Sequence, residues 1–139
     1  MKTFQTSRTI NASPELLFDA IARPERLAKW WGPNGFTNTF SRFEFKPGGK
    51  WSFIMHGPDG TDYPNESEFV EIIPNERVVI RHACHPFFTL SILIEESANG
   101  SVLHWIQEFD SEDVAKRIAS VVIPANEQNL DRLTAEVLS

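Results

Sequence analysis

The feature that most restricts the fold of this chain is a long alternation of apolar and polar residues, which begins near Phe36 and continues to Phe109. Trp51, Phe53 and Met55 occupy alternate positions in it, so an extended chain places all three on one face. Glycine, proline and asparagine interrupt the alternation at short intervals, as is typical of tight turns. The later strands are predicted at about residues 62–73, 77–84, 89–96 and 101–109. Because successive strands are joined by short turns, the pattern predicts an antiparallel meander of about six strands.

Two short helices are predicted between a first strand, residues 2–10, and this meander. Ser13 can cap a helix N-terminus, and Pro14 suits the first helical position. Pro24 ends this helix and can begin a second, shorter one that includes Trp30.

A long helix is predicted at the end of the chain, with Ser111 as its N-terminal cap. Pro124 is expected to break or kink it, because proline has no N–H and its ring crowds the preceding turn. Apolar residues recur at helical spacing on both sides of the proline. They are Val114, Ile118 and Val121 before it, and Leu130, Leu133 and Val137 after it. We expect the second set to pack across the concave side of the sheet, which must curl because strands twist.

The predicted fold is therefore α+β, with a curved antiparallel sheet of about six to seven strands wrapped around a long C-terminal helix. A length of 139 residues is typical of a single domain, residues 1–139. The net charge of −6 argues against binding to nucleic acid, which requires a basic face. No apolar run is long enough for a signal peptide or a membrane span, so we expect a cytoplasmic protein that does not bind membranes. We expect a monomer or a weak homodimer.

Two adjacent indoles, Trp30 and Trp31, precede a Gly-Pro break, and one regular element cannot bury both. At least one of them is expected at the rim of a hollow, since tryptophan favours semi-buried walls where its N–H finds a partner. The alternating face of the sheet supplies the remaining wall. The candidate ligand-binding residues are Trp30, Trp31, Phe43, Phe45, Trp51, Phe53, Met55, His82, Trp105 and Gln107.

Gln107 is the unusual member of this set because Leu103, Trp105 and Phe109 make its face of the strand apolar. A buried amide needs hydrogen-bond partners. A bound ligand, a water molecule or a neighbouring histidine could supply them.

His82, Cys84 and His85 resemble a metal site, but the strand period places His85 on the opposite face from the other two. No second cluster completes four ligands, so neither a metal nor a cofactor is expected. One histidine is expected inward and the other in solvent, and the pattern does not decide which. Cys84 is expected to be a buried cysteine and not a nucleophile, because no acyl-transfer motif surrounds it.

Three carboxylates, Glu66, Glu68 and Glu71, fall on one predicted strand, where Glu66 and Glu68 share a face and Glu71 takes the other. An inward one could act as a general base or hold a polar ligand group. A solvated face is favoured, because carboxylates are seldom buried without a partner. Arg81 could anchor a carboxylate ligand, although a surface ion pair is the preferred interpretation.

Several segments in this order resemble a known family. They are WWGP at residues 30–33, EFKPGG at 44–49 followed by Trp51, MHGPDG at 55–60 followed by Tyr63, PNERV at 74–78, and NLDRL at 129–133. Together they resemble the START-like (SRPBCC) superfamily, which has the helix-grip fold, and within it the family of heat-shock-protein-90 ATPase activator homologues. The resemblance implies a central cavity for a small, mostly apolar molecule. The chain departs from the family where it reads PAN at residues 124–126 instead of Gly-Trp, which alters one end of the cavity.

The resulting expectation is a protein that binds a small, apolar or amphipathic molecule in a central cavity and is not an enzyme. One alternative is a cyclase- or hydrolase-type enzyme, which would require an inward carboxylate or His82 beside a ligand-sized void. A second is a co-chaperone or stress-response interaction module, which would show an exposed apolar patch in place of a deep pocket.

Overall fold

A computed structural model describes residues 2–139, so residue 1 of the predicted domain lies outside the described residues. The described residues form seven strands and three helices. In chain order they are β1 (Thr3–Ile10), α1 (Pro14–Ala22), α2 (Pro24–Trp30), β2 (Thr37–Phe43), β3 (Lys50–His56), β4 (Asp62–Ile73), β5 (Arg77–His82), β6 (Phe88–Ser97), β7 (Gly100–Phe109) and α3 (Glu112–Leu138).

The seven strands form one antiparallel sheet in the order β1-β7-β6-β5-β4-β3-β2, and this confirms the predicted meander. The first strand pairs with the last, so β1 and β2 are the two edges. The register aligns side chains on one face across neighbouring strands. Trp51 lies opposite Ser67, Ser67 opposite His82, and His82 opposite Phe88.

Strand β5 ends at His82, two residues before the predicted end. The chain turns back here, and Nδ1 of His82 lies 2.7 Å from the carbonyl oxygen of Pro86. One further backbone bond to β4 follows, from the N–H of Ala83 to the carbonyl of Glu66 at 2.8 Å, and Cys84 and His85 then belong to the turn.

The two N-terminal helix caps predicted from the sequence, Ser13 and Ser111, are present. The hydroxyl of Ser13 accepts from the backbone N–H of Leu16 at the start of α1, and that of Ser111 accepts from Val114 at the start of α3. Helix α3 then runs through Pro124 without a break. The carbonyl that loses its donor to proline belongs to Ser120, which is exposed, so water can replace the missing bond.

The continuity of α3 decides which of its apolar residues face the sheet. Leu130, Leu133 and Val137 are buried as predicted, whereas Val121 is 67% exposed. Val121 and Leu130 are nine residues apart, which at about 100° per residue places them on opposite sides of an unbroken helix. The two stripes could share a face only if the proline broke the helix. As a consequence Val121 is exposed, while Val114 and Ile118 are only half-buried.

Helices α1 and α2 close one end of the sheet. Leu17, Ala20 and Ile21 of α1 are fully buried. Trp30 at the end of α2 is also fully buried, and its indole N–H donates to the carbonyl of Ala20 at 3.0 Å. Among residues 2–139, no helix is long and apolar enough to cross a membrane.

Candidate functional site

A cavity of about 210 Å³ lies between the sheet and α3. Five central strands, the loop after α2 and the middle of α3 contribute to its wall. Its apolar lining consists of Trp31, Gly32, Pro33, Phe53, Met55, Ile80, Phe88, Leu90, Trp105 and Ala125. Its polar lining consists of Asn65, Ser67, His82, Gln107, Asn126 and Asn129. No lysine, arginine, aspartate or glutamate of the described chain lines it.

Six of the ten predicted residues line this cavity. They are Trp31, Phe53, Met55, His82, Trp105 and Gln107. The alternating strand pattern accounts for the five that lie on strands, because residues two apart share a face and the antiparallel register brings neighbouring strands together on it. Trp31 lies on the loop after α2 and was predicted from the two adjacent indoles.

The other four predicted residues, Trp30, Phe43, Phe45 and Trp51, lie outside the lining. Trp30 is buried in the core. The other three form an aromatic cluster with Phe69, whose ring lies 5.6 Å from that of Trp51. Phe18 of α1 packs against Phe45 with ring centroids 5.7 Å apart, so aromatic rings occupy this end of the concave face.

The loop that carries Trp31 is attached to α3 by three polar side chains, one of which, Gln128, accepts from the N–H of Asn34 at 3.1 Å. Asn129 donates to the carbonyl of Trp30 at 2.8 Å, and its amide oxygen accepts from the N–H of Gly32 at 3.3 Å. Arg132 lies one turn further along the helix. Its guanidinium donates to five carbonyls of the same loop, those of Lys29, Trp31, Gly32, Pro33 and Phe36, at 2.8–3.2 Å.

Arg132 pairs with no carboxylate of the described residues, and burial lowers the pKa of its guanidinium. Among the described residues, its positive charge is therefore stabilised by carbonyl dipoles. Sequence reasoning assigned no role to Asn129 or Arg132. The signal was present in the segment at residues 129–133, which was among those that carried the family resemblance.

His82 is the inward histidine, and His85 is exposed. The ring of His82 stacks on Phe88 with centroids 4.5 Å apart. Its Nδ1 donates to Pro86, and its Nε2 lies 2.6 Å from the side-chain oxygen of Asn65 and 3.5 Å from Cys84 Sγ. Burial lowers the pKa of the imidazole. Both ring nitrogens of His82 therefore already have protein neighbours, and residues 2–139 contain no group of three or more histidine, cysteine or carboxylate side chains placed to hold a metal ion.

The buried amide of Gln107 has a partner that the sequence did not identify. Asn126 of α3 donates to its side-chain oxygen at 3.0 Å. Asn126 belongs to the segment where the chain departs from the family pattern, residues 124–126. The departure therefore places a polar side chain directly over the cavity.

The strand carboxylates lie on the outer face of the sheet. Glu66 accepts from Ser52, Glu68 pairs with Lys50, and Glu71 pairs with Arg77. The favoured interpretation of a solvated face is therefore confirmed. The prediction that Glu71 takes the face opposite Glu66 and Glu68 is wrong, because a register shift between Phe69 and Glu71 turns Glu71 outward as well. Arg81 likewise forms a surface ion pair, with Asp110, at 2.6 Å.

Two larger depressions are open to solvent and adjoin the cavity. A groove of about 660 Å³ between the start of β1 and α3 shares Asn126 with it. A second, of about 400 Å³, shares Met55, Asn65 and His82 and is bordered by Tyr63 and Pro86. Asn126 and His82 thus mark the two places where the cavity approaches solvent.

The fold is shared with solved structures of low sequence identity. A protein from Nitrosomonas europaea is 19% identical with a TM-score of 0.88, and the match covers 97% of this chain and 93% of that one. A protein from Chromobacterium violaceum is 22% identical with a TM-score of 0.86, over 97% and 96% of the two chains. The AHSA1 protein from Silicibacter pomeroyi is 19% identical with a TM-score of 0.78, over 98% and 97%.

No curated protein matches the sequence. The model of one family does, and it covers residues 11–137, which is nearly the whole chain. The arrangement of a curved antiparallel sheet, a long C-terminal helix and two short helices after the first strand is the helix-grip fold of the START-like superfamily. The chain belongs to the family of Activator of Hsp90 ATPase homolog 1-like proteins.

Proposed function

We propose that this protein binds a small, uncharged, largely apolar molecule in the cavity between the sheet and α3. The observation that carries the proposal is the lining, which is mostly aromatic and aliphatic with a few polar groups. Ligand sites in proteins are generally built in this way. A volume of about 210 Å³ suits one substituted ring, because an apolar cavity of about 150 Å³ already holds benzene.

An enzymatic role has less support. The described part of the chain places no carboxylate in the cavity wall, and the nitrogens of His82 face Pro86, Asn65 and Cys84. A general base must reach the proton that it removes, and these contacts occupy the ring.

A docking role also has less support. The exposed large apolar side chains are distributed over α1, β4, the β5–β6 connection and α3, and single exposed residues are normal on protein surfaces. They are Leu16, Tyr63, Val70, Phe87, Val121, Ile123 and Leu138.

Titration with toluene, followed by tryptophan fluorescence, tests the proposal. Trp31 and Trp105 line the cavity, so an occupant changes their surroundings. Ala125→Phe places a ring in the cavity from α3 and is expected to weaken binding at least about tenfold by occupying the space. Ala135→Phe adds the same ring at an exposed position of the same helix and serves as the control.

Native mass spectrometry of freshly purified protein complements the titration, since a co-purifying molecule would give its mass. Failure of the unaltered protein to bind toluene up to its solubility limit would remove the support for a ligand cavity. Equal affinities in the two phenylalanine variants would place the toluene somewhere else.

A further inference from the structure

Gln107 is a buried amide whose hydrogen-bonding capacity is only partly used. The residue is 8% exposed and lines the cavity. Its oxygen accepts from Asn126, but no partner for its nitrogen is present among residues 2–139. This nitrogen is not among the fully buried unpaired side-chain atoms of the described residues, so it borders the open space of the cavity. An occupant of the cavity can therefore reach it and supply the acceptor.

The hydrogen bond between Gln107 and Asn126 also determines which polar groups of the two side chains remain available to a ligand. One bond between two amides joins the nitrogen of one to the oxygen of the other, in either orientation of the pair. The pair therefore keeps one complete NH2 group and one oxygen outside this bond. A hydroxyl group both donates and accepts, so it can satisfy both, whereas a methyl group satisfies neither.

Charge limits the ligand further. With no ionised side chain of the described residues in the lining, a charged ligand would lose its hydration without gaining a counter-ion. The apolar remainder of the lining and the volume of about 210 Å³ leave room for one ring.

On the basis of the proposed function, we infer that the cavity selects an uncharged, single-ring molecule that carries a hydroxyl group, and that Gln107 and Asn126 recognise this hydroxyl. The apolar walls hold the ring. Asn126, which lies where the chain departs from the family pattern, then helps to select the class of ligand.

Phenol and toluene test this inference because they have the same shape and differ only in a hydroxyl against a methyl group. Both affinities are measured for the unaltered protein, for Gln107→Met, which keeps the side-chain volume, and for Gln5→Met. Gln5 is exposed on β1 and lies outside the cavity, so it is the matched control. The ratio of the phenol affinity to the toluene affinity is expected to fall about tenfold in Gln107→Met, the effect of one or two lost hydrogen bonds, and to stay unchanged in Gln5→Met.

An unchanged ratio in Gln107→Met, with toluene still bound, would overturn the selection of a hydroxyl group and leave the proposed function intact. If the unaltered protein binds neither probe, both proposals fail. A measurement on the unaltered protein covers the case in which Gln107→Met does not fold. The side-chain amide signals of Gln107 in a nitrogen-15 NMR spectrum should shift with phenol much more than with toluene, and equal shifts would contradict the inference.

Discussion

Arg132 should be a major determinant of stability even though it pairs with no carboxylate of the described chain. Its two terminal nitrogens carry four N–H groups and donate to five carbonyls of the loop at residues 29–36. A hydrogen bond from a charged donor contributes about 1.5–3 kcal/mol, and less where water can replace it. At about 1 kcal/mol for each N–H, the contacts contribute about 4 kcal/mol. The cost of desolvating the guanidinium offsets part of this.

We therefore expect Arg132→Met to lower the free energy of unfolding by about 2–3 kcal/mol. Arg132→Lys should recover less than half of this loss, because one ammonium cannot span carbonyls that a planar guanidinium reaches from two nitrogens. Urea denaturation at neutral pH gives both values. Hydrogen exchange at the Gly32 amide should also accelerate, since this amide is bonded to α3 in the same attachment.

The control is Arg117→Met, an exposed position on the same helix, where a change of less than about 0.5 kcal/mol is expected. A loss in Arg132→Met no larger than in this control would refute the reasoning. A gain in stability would show that the cost of burying the charge exceeds the value of the five contacts.

Three further substitutions probe the core, a titrating group and a close backbone approach. Leu133→Ala empties a fully buried site and should cost about 2–5 kcal/mol in chemical denaturation, whereas Leu138→Ala, at an exposed position, should cost much less. Burial lowers the pKa of His82, so below its unfolded pKa of about 6.5 the unfolded chain binds more protons and stability falls with falling pH. His82→Gln should reduce this fall between about pH 7.5 and about pH 5, and an equal fall in both proteins would exclude His82 as its source. Gly49→Ala should lower the melting temperature and cost at least about 2 kcal/mol, because the added β-carbon would overlap the carbonyl of Glu44; a neutral effect would mean that the turn relaxes easily.

The local structure of this chain is readable from its sequence because it depends on neighbours in the sequence. Alternation at Trp51, Phe53 and Met55 determines a strand with one apolar face. Ser13 and Ser111 cap their helices through bonds to residues three positions later. Short turns between strands determine the antiparallel order, and a sheet of many twisted strands must curl. The existence of a concave face follows from these local rules.

Which residues on that face border empty space was decided by the tertiary structure. Trp51 and Phe53 share a face and their rings stack 4.3 Å apart, yet only Phe53 lines the cavity. The difference arises because the rings of Trp31, Phe40 and Phe43 pack against Trp51, and the position of Trp31 depends on how distant segments pack. A two-residue period cannot distinguish a filled face from a hollow one.

Packing between segments that are distant in the sequence also explains the contacts that were not predicted. Arg132 reaches a loop about 100 positions earlier in the chain, and Gln107 meets Asn126 only because α3 continues through Pro124. Whether a proline interrupts a helix depends on whether solvent can satisfy the carbonyl that it leaves free, which is a property of the folded surface. The sequence alone determined the elements, their order and the apolar face. Long-range packing determined the cavity boundary, the attachment of the tryptophan loop and the partner of the buried amide.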